Sequence, residues 1–156
     1  MIELGHVTDQ KPPFRYAAYT RVAFSDTDAQ GVVYYGRYLP YFDHARTEYH
    51  RHLGALGMHG IEGAELVMRA SDVEYHAPAR FDDLLEVFVR TRRIGRTSVT
   101  SEYCALRVSD DALMCTADQT LVLVELAARC PTPIPQAYKD VVAGFEQVDL
   151  ELATAR

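Results

Sequence analysis

Apolar residues recur along this chain with two different periods. Between residues 36 and 54, Tyr38, Leu39, Phe42, Ala45, Tyr49 and Leu53 follow one another mostly at helical steps, while Arg37, Asp43, Arg46, His50 and Arg51 fall mostly on other faces. That spacing predicts a long amphipathic helix. Pro40 is compatible with it because it falls in the first turn, where a missing N–H leaves no bond unmade. Gly54 and Gly57 suit the helix end. Ahead of the helix, residues 17–25 read as a strand. Beyond residue 64 the period becomes two: Leu66, Met68, Ala70, Asp72 and Glu74 alternate with Val67, Arg69, Ser71, Val73 and Tyr75. Strand-like runs over residues 85–93, 98–107 and 112–126 predict three further strands. Gly95 and Ser109-Asp110-Asp111 mark tight turns between them, hence antiparallel hairpins. Pro131, Pro133 and Pro135 stiffen a connector to a short helix over residues 136–145.

One strand, one long helix and four long strands without intervening helices do not make a doubly wound sheet, which alternates strands with crossover helices. The layout predicts an α+β fold, an antiparallel sheet of about five strands wrapped over one central helix. Residues 1–16 read as an extended N-terminal lead-in, 17–127 as the domain proper, and 128–156 as the connector and short helix.

Composition narrows the function without choosing it. The chain of 156 residues has the length of one domain with a single core. Its net charge of −6 argues against a general nucleic-acid binder. No apolar run approaches the ~20 residues of a membrane span, and the first residues lack the regions of a signal peptide, so the expected compartment is the cytoplasm. Cys104, Cys115 and Cys130 form neither a CxxC pair nor an even set and read as reduced thiols. Cys104 and Cys115 lie inside strand-like runs and are expected to be buried packing rather than nucleophiles.

Candidate chemistry concentrates in residues 26–35, DTDAQGVVYY. Two carboxylates follow a strand-like run, a glycine turn comes next, and the helical pattern begins directly after. Free N–H groups and the helix dipole at such a helix start stabilise developing negative charge. Asp26, Asp28 and Gln30 before Gly31 imitate half of a calcium-binding EF-hand loop, but Arg37 stands where that loop needs its bidentate glutamate. A strand followed by Asp-x-Asp also resembles the nucleophile motif of haloacid-dehalogenase-like phosphatases, whose alternating βα units are missing here. His50 and His52 face different ways on the helix, and no HExxH pattern, nucleophile elbow or phosphate loop occurs, so neither metal nor cofactor is expected. His44 and Glu48, four apart, read as a solvated helix face. His76 lies at a strand end, where a structural or surface role leads and a place in a cleft is the alternative. On spacing alone, helix capping or turn formation by Asp26 and Asp28 stands ahead of catalysis.

Resemblance changes that order. Residues 21–38, RVAFSDTDAQGVVYYGRY, resemble the signature of the 4-hydroxybenzoyl-CoA thioesterase family, and the likeness continues through YFDHARTE at 41–48, VEYHAPARFDD at 73–83 and GRTS at 95–98. It spans roughly residues 17 to 127, and the chain looks most like the bacterial acyl-CoA thioesterases associated with the Tol-Pal system. The family implies a hot-dog fold, a sheet wrapped around a central helix. By position, its catalytic aspartate corresponds to Asp28, leaving Asp26 as a turn or hydrogen-bonding partner. The backbone N–H that polarises the thioester carbonyl corresponds to Tyr35. Many relatives carry histidine there, so the imidazole is missing while the backbone donor remains. Gly31 and Gly36 would flank the substrate at this helix start. Arg96, Thr97 and Ser98 match a segment that contacts the nucleotide end of CoA, although a charged turn explains each arginine of this region nearly as well. The odd-numbered residues from Leu85 to Arg93, with Val67 opposite, would border the acyl tunnel.

The function so implied is hydrolysis of an acyl-CoA to the free acid and CoA, with Asp28 attacking directly or deprotonating water. Acyl-carrier-protein substrates stay open. Such proteins assemble as homodimers or homotetramers with interfacial active sites, and interfacial burial would raise the pKa of Asp28 above that of a surface aspartate. The rival reading is a catalytically weak hot-dog module that binds acyl thioesters or a partner in envelope or lipid synthesis. A hot-dog dehydratase is a third reading, weakened because no histidine stands at the matching helix start.

Overall fold

The computed structural model describes residues 2–57 and 63–153. Within them the strands are β1 (Gly5–Val7), β2 (Tyr16–Arg21), β3 (Ala64–Tyr75), β4 (Leu84–Ile94), β5 (Ser98–Arg107), β6 (Leu113–Glu125), β7 (Cys130–Pro131) and β8 (Glu151–Leu152), with helices α1 (Tyr38–His52) and α2 (Gln136–Glu146). All strands join one sheet in the order β1-β2-β4-β5-β6-β3, with β7 added to β6 and β8 to β4. The pairings along that order are antiparallel, and β8 runs parallel to β4. This is the expected α+β architecture, a sheet wrapped around α1.

The expected hairpins form at Gly95 and at residues 108–112, between β4 and β5 and between β5 and β6. The first strand is shorter than its pattern suggests. It ends at Arg21, and Phe24–Asp26 turn into a 3-10 helix. The N-terminal residues do not simply lead in: Gly5–Val7 pair antiparallel with β2 and extend the sheet by a strand, and residues 10–13 turn the chain back between the two.

β3 departs most from a simple reading. Its neighbour is β6, not β4. Residues 76–83 cannot close a tight turn and instead carry the chain past the start of α1, where the Val33 N–H donates to the Ala79 carbonyl at 2.8 Å. Val67 therefore pairs with Val122 and does not stand opposite β4.

β3 also does not alternate without interruption. Its register slips between Met68 and Ala70, leaving Arg69 as an extra residue. A bulge of this kind exchanges the two faces of a strand. Leu66 thus packs inward beside α2, while Val73, of opposite parity, packs inward beside α1. β4 has a similar slip between Thr91 and Arg93. Leu85, Val87, Val89 and Thr91 are buried, whereas Arg93 reaches Glu151 at 3.2 Å. The odd-numbered residues of β4 are thus not one continuous tunnel wall. Leu85, Val87 and Val89 belong to the core packed with α1.

The core follows from the stripe on α1. Tyr38, Phe42, Ala45 and Tyr49 are buried with Leu85, Val87, Val89 and Tyr103, and Phe42 stacks on Tyr103 at 4.7 Å. Each large side chain so buried contributes about 1.5–3 kcal/mol. A second cluster sets Tyr138 and Val142 of α2 against Ile94, Val99 and Leu123. On the outer face, Phe14 and Ala17 cover Phe88 and Cys104.

The polar positions of α1 are less solvated than their sequence suggests. Glu48 is 5% exposed and accepts the Leu4 N–H at 3.0 Å, and His44 Nε2 meets the Tyr19 carbonyl at 3.0 Å. These correct the reading of a solvated face: both side chains fasten the outer strands to the helix. Arg46 likewise points into the protein, donating to the Tyr103 hydroxyl at 2.9 Å and to Gln119 Oε1 at 3.0 Å.

Candidate active site

Between β2 and α1 the chain folds as a small hairpin, not a plain glycine turn. Thr27 bridges Val33, the Asp28 N–H donates to the Val32 carbonyl at 3.0 Å, and the Gly31 N–H donates back to the Asp28 carbonyl at 2.9 Å. Gly31 closes this turn at φ +77°, the left-handed region that side chains disfavour. Asp28 is half-buried at its base, and its Oδ1 accepts the Gln30 N–H at 2.8 Å. Asp26 acts as a scaffold. Its Oδ2 accepts the Ala23 N–H at 2.9 Å and the Tyr41 hydroxyl at 2.7 Å. The turn-forming role that spacing favours is therefore present at both aspartates.

Downstream, Tyr35–Arg37 form a 3-10 turn that leads directly into α1. The first N–H groups of such a helix start have no acceptor within the helix. Gly36 suits the middle of this turn, since a Cβ there would lie 2.9 Å from the Tyr34 ring.

Asp28 and Tyr35 line one cavity of about 320 Å³, together with Gln30, Val32, Val33, Tyr38, Tyr75, His76, Ala77 and Pro78. Hollows of about 550 and 400 Å³ lie elsewhere, one between the N-terminal segment and α2 and one on the outer sheet face. The smaller cavity is the better candidate site because only it, of the three, joins a carboxylate to the start of a long helix.

Tyrosines build its walls. Tyr35 packs on Tyr34 at 4.3 Å, Tyr75 meets Tyr35 at 6.4 Å and Tyr38 at 5.7 Å, and Tyr38 meets Tyr41 at 5.7 Å. Burial raises the pKa of the Tyr38, Tyr41 and Tyr75 phenols, so these groups stay protonated donors at neutral pH. For Tyr41, the hydrogen bond to Asp26 raises it further. Tyr75 and Tyr38 are wall residues that periodicity assigns only to an alternating strand and to the helix stripe; for Tyr75 the signal lies in the segment at 73–83, which also carries His76. His76 does line the cavity, with Nε2 3.2 Å from the Thr116 hydroxyl.

The remaining candidates lie elsewhere in the chain. Ser98 pairs with Val122 and Tyr75 with Cys115, so Arg96, Thr97 and Ser98 sit seven β6 positions from the cavity, about 24 Å along the strand. Arg96 is exposed, and its carbonyl accepts the Ile134 N–H at 2.8 Å. Val67 is 44% exposed on β3, also away from the cavity. The single chain therefore brings Asp28 and Tyr35 into the cavity, with Gly31 and Gly36 next to lining residues in sequence, but not Val67 or Arg96–Ser98. Cys104 and Cys115 are buried, which raises both thiol pKa values, that of Cys115 to about 12. Neither supplies a thiolate at neutral pH. Among the described residues no group of three or more His, Cys, Asp or Glu is placed to hold a metal, and no helix is long and apolar enough to cross a membrane.

Known proteins resemble this chain in sequence and in fold. The acyl-CoA thioester hydrolase YbgC of Escherichia coli is 34% identical over 129 residues, which cover 81% of this chain and 92% of that one. The acyl-CoA thioesterase YbgC of Haemophilus influenzae is 32% identical over 130 residues, covering 82% and 92%. The crystal structure of Slr0204, a 1,4-dihydroxy-2-naphthoyl-CoA thioesterase from Synechocystis, matches with a TM-score of 0.75 at 20% identity, over 85% of this chain and 96% of that one, a likeness of fold. The sequence model of the thioesterase-like superfamily matches residues 22–143, from the end of β2 into α2. The wrapped sheet, its central helix and these matches together show that the chain belongs to the thioesterase-like superfamily and has its hot-dog fold.

Proposed function

We propose that this protein is an acyl-CoA thioesterase, with Asp28 as its catalytic carboxylate and the backbone N–H of Tyr35 as oxyanion donor. One observation carries the reading: Asp28 and the first turn of the central helix line the same cavity. The relatives from Escherichia coli and Haemophilus influenzae, which cover four-fifths of the chain, carry acyl-CoA thioester hydrolase names. Hydrolysis passes through a tetrahedral oxyanion, and an N–H donor already fixed at a helix start stabilises it by about 3–4 kcal/mol. Asp28 either attacks the thioester carbonyl, giving a mixed anhydride that water then opens, or takes the proton of an attacking water; in both routes the sulfur leaves as CoA thiol.

The proposal extends to assembly. β3 has β6 on one side and pairs with no strand on the other among the described residues, and most of its side chains are exposed. An unpaired edge of this length calls for cover. A second copy placed there would bring a further surface to the cavity at Tyr75, and would let Arg96–Ser98 or Val67 of one copy serve the acyl-CoA held by another. We therefore read the working form as a homodimer or homotetramer with interfacial sites.

Thiol release from a panel of acyl-CoA and acyl-carrier-protein thioesters tests the activity, beside Asp28→Asn. The variant is expected to lose about 10²- to 10⁴-fold in kcat while remaining folded. Undiminished release would remove Asp28 from catalysis. A wild-type protein that binds but cleaves none of the panel would favour a binding module, and a stable monomer in sedimentation would refute the interfacial site.

A further inference from the structure

The Tyr75 hydroxyl donates to the Tyr35 carbonyl oxygen at 3.1 Å. This joins the last residue of β3 to the first residue of the 3-10 turn before α1. The contact is reinforced by rings, because Tyr75 meets both Tyr35 and Tyr38 edge-on. The turn itself is weakly restrained. No residue in it is buried, no side chain caps it, and Tyr35 is 62% exposed. 3-10 hydrogen bonds also have poorer geometry than those of an α-helix. An oxyanion donor, by contrast, acts only if its direction is set before the reaction, since a displacement near 1 Å lowers rates by about 10²-fold.

We propose that Tyr75 is a positioning residue for the oxyanion donor: its hydroxyl holds the Tyr35 carbonyl so that the N–H groups of this turn keep their aim into the cavity. The inference rests on the thioesterase reading above and assigns Tyr75 no contact with the reacting atoms. It also gives β3 a second task. The strand that presents the open sheet edge ends in the side chain that steadies the helix start.

Tyr75→Phe separates the hydroxyl from the ring. The phenyl keeps the edge contacts with Tyr35 and Tyr38, so the melting temperature should hold. The expected result is a fall in kcat of about tenfold with KM within about twofold, the loss of one hydrogen bond felt in the transition state. The ¹⁵N order parameters of the Tyr35 and Gly36 amides should fall from the ~0.85 of rigid backbone towards the ~0.6 of flexible segments, a readout that needs no substrate. An active wild type whose Tyr75→Phe variant keeps its kcat, or loses kcat with unaltered order parameters at these amides, overturns the positioning role alone. A wild type inert toward every thioester overturns the underlying reading and the catalytic role of Tyr75 with it.

Discussion

Glu146, near the end of α2, is completely buried, and replacing it should change how stability depends on pH. Its Oε1 accepts the Tyr49 hydroxyl at 3.0 Å, while Oε2 is buried without a hydrogen-bond partner. Burial pushes the carboxyl from its ordinary 4.5 up to about 7; the Tyr49 hydroxyl, the guanidinium groups of Arg90 and Arg15 and the Thr91 N–H pull the other way but do not cancel it. Because the folded state holds this proton more tightly than the unfolded chain, folding is penalised as pH rises from the unfolded value through about 7. A rise of this size corresponds to about 3 kcal/mol once the group is ionised in both states. Glu146→Gln keeps an acceptor for Tyr49 and cannot ionise. Its stability relative to wild type should therefore climb by about 2.5 kcal/mol between pH 5 and pH 8. Urea unfolding of both proteins at several pH values measures this directly, and other titrating groups drop out of the difference. A stability difference independent of pH would refute the argument. It would mean that Glu146 reaches water or a counterion when ionised.

Two further outcomes follow from buried polar ties. Arg46→Ala removes the donor shared by Tyr103 and Gln119 and should destabilise by about 3 kcal/mol, read as a lower urea midpoint at unchanged m-value. Tyr41→Phe deletes the hydroxyl that fixes Asp26 and should reduce stability by about 1.5–3 kcal/mol; thioester turnover should fall with it, whereas full activity would show that Asp28 does not depend on this scaffold.

Much of the frame was legible because it follows from periodicity. The stripe from Tyr38 to Tyr49 marks the face of a helix that must be buried against another layer, and Gly95 and Asp110-Asp111 announce their hairpins. The hidden parts are those where backbone irregularity or a distant partner decides. Nothing local to Arg46 or Glu48 distinguishes them from solvated helix residues, since their partners lie on β5, β6 and the N-terminal segment. Tyr75 looked like one more alternating residue until the slip at Arg69 placed it toward the helix start.

The α+β class, the central helix and the candidate carboxylates can be read from the chain alone, because hydrophobic period and turn chemistry act over a few residues. Family resemblance then selected Asp28 from that pair. Folding in three dimensions was needed to show that β3 crosses to β6, that bulges at Arg69 and Arg92 exchange the faces of two strands, and that Asp28 shares a tyrosine-walled cavity with the start of α1. The difference is one of range. A period says which residues must be buried, but pairing partners and register are settled by contacts between residues far apart in the chain.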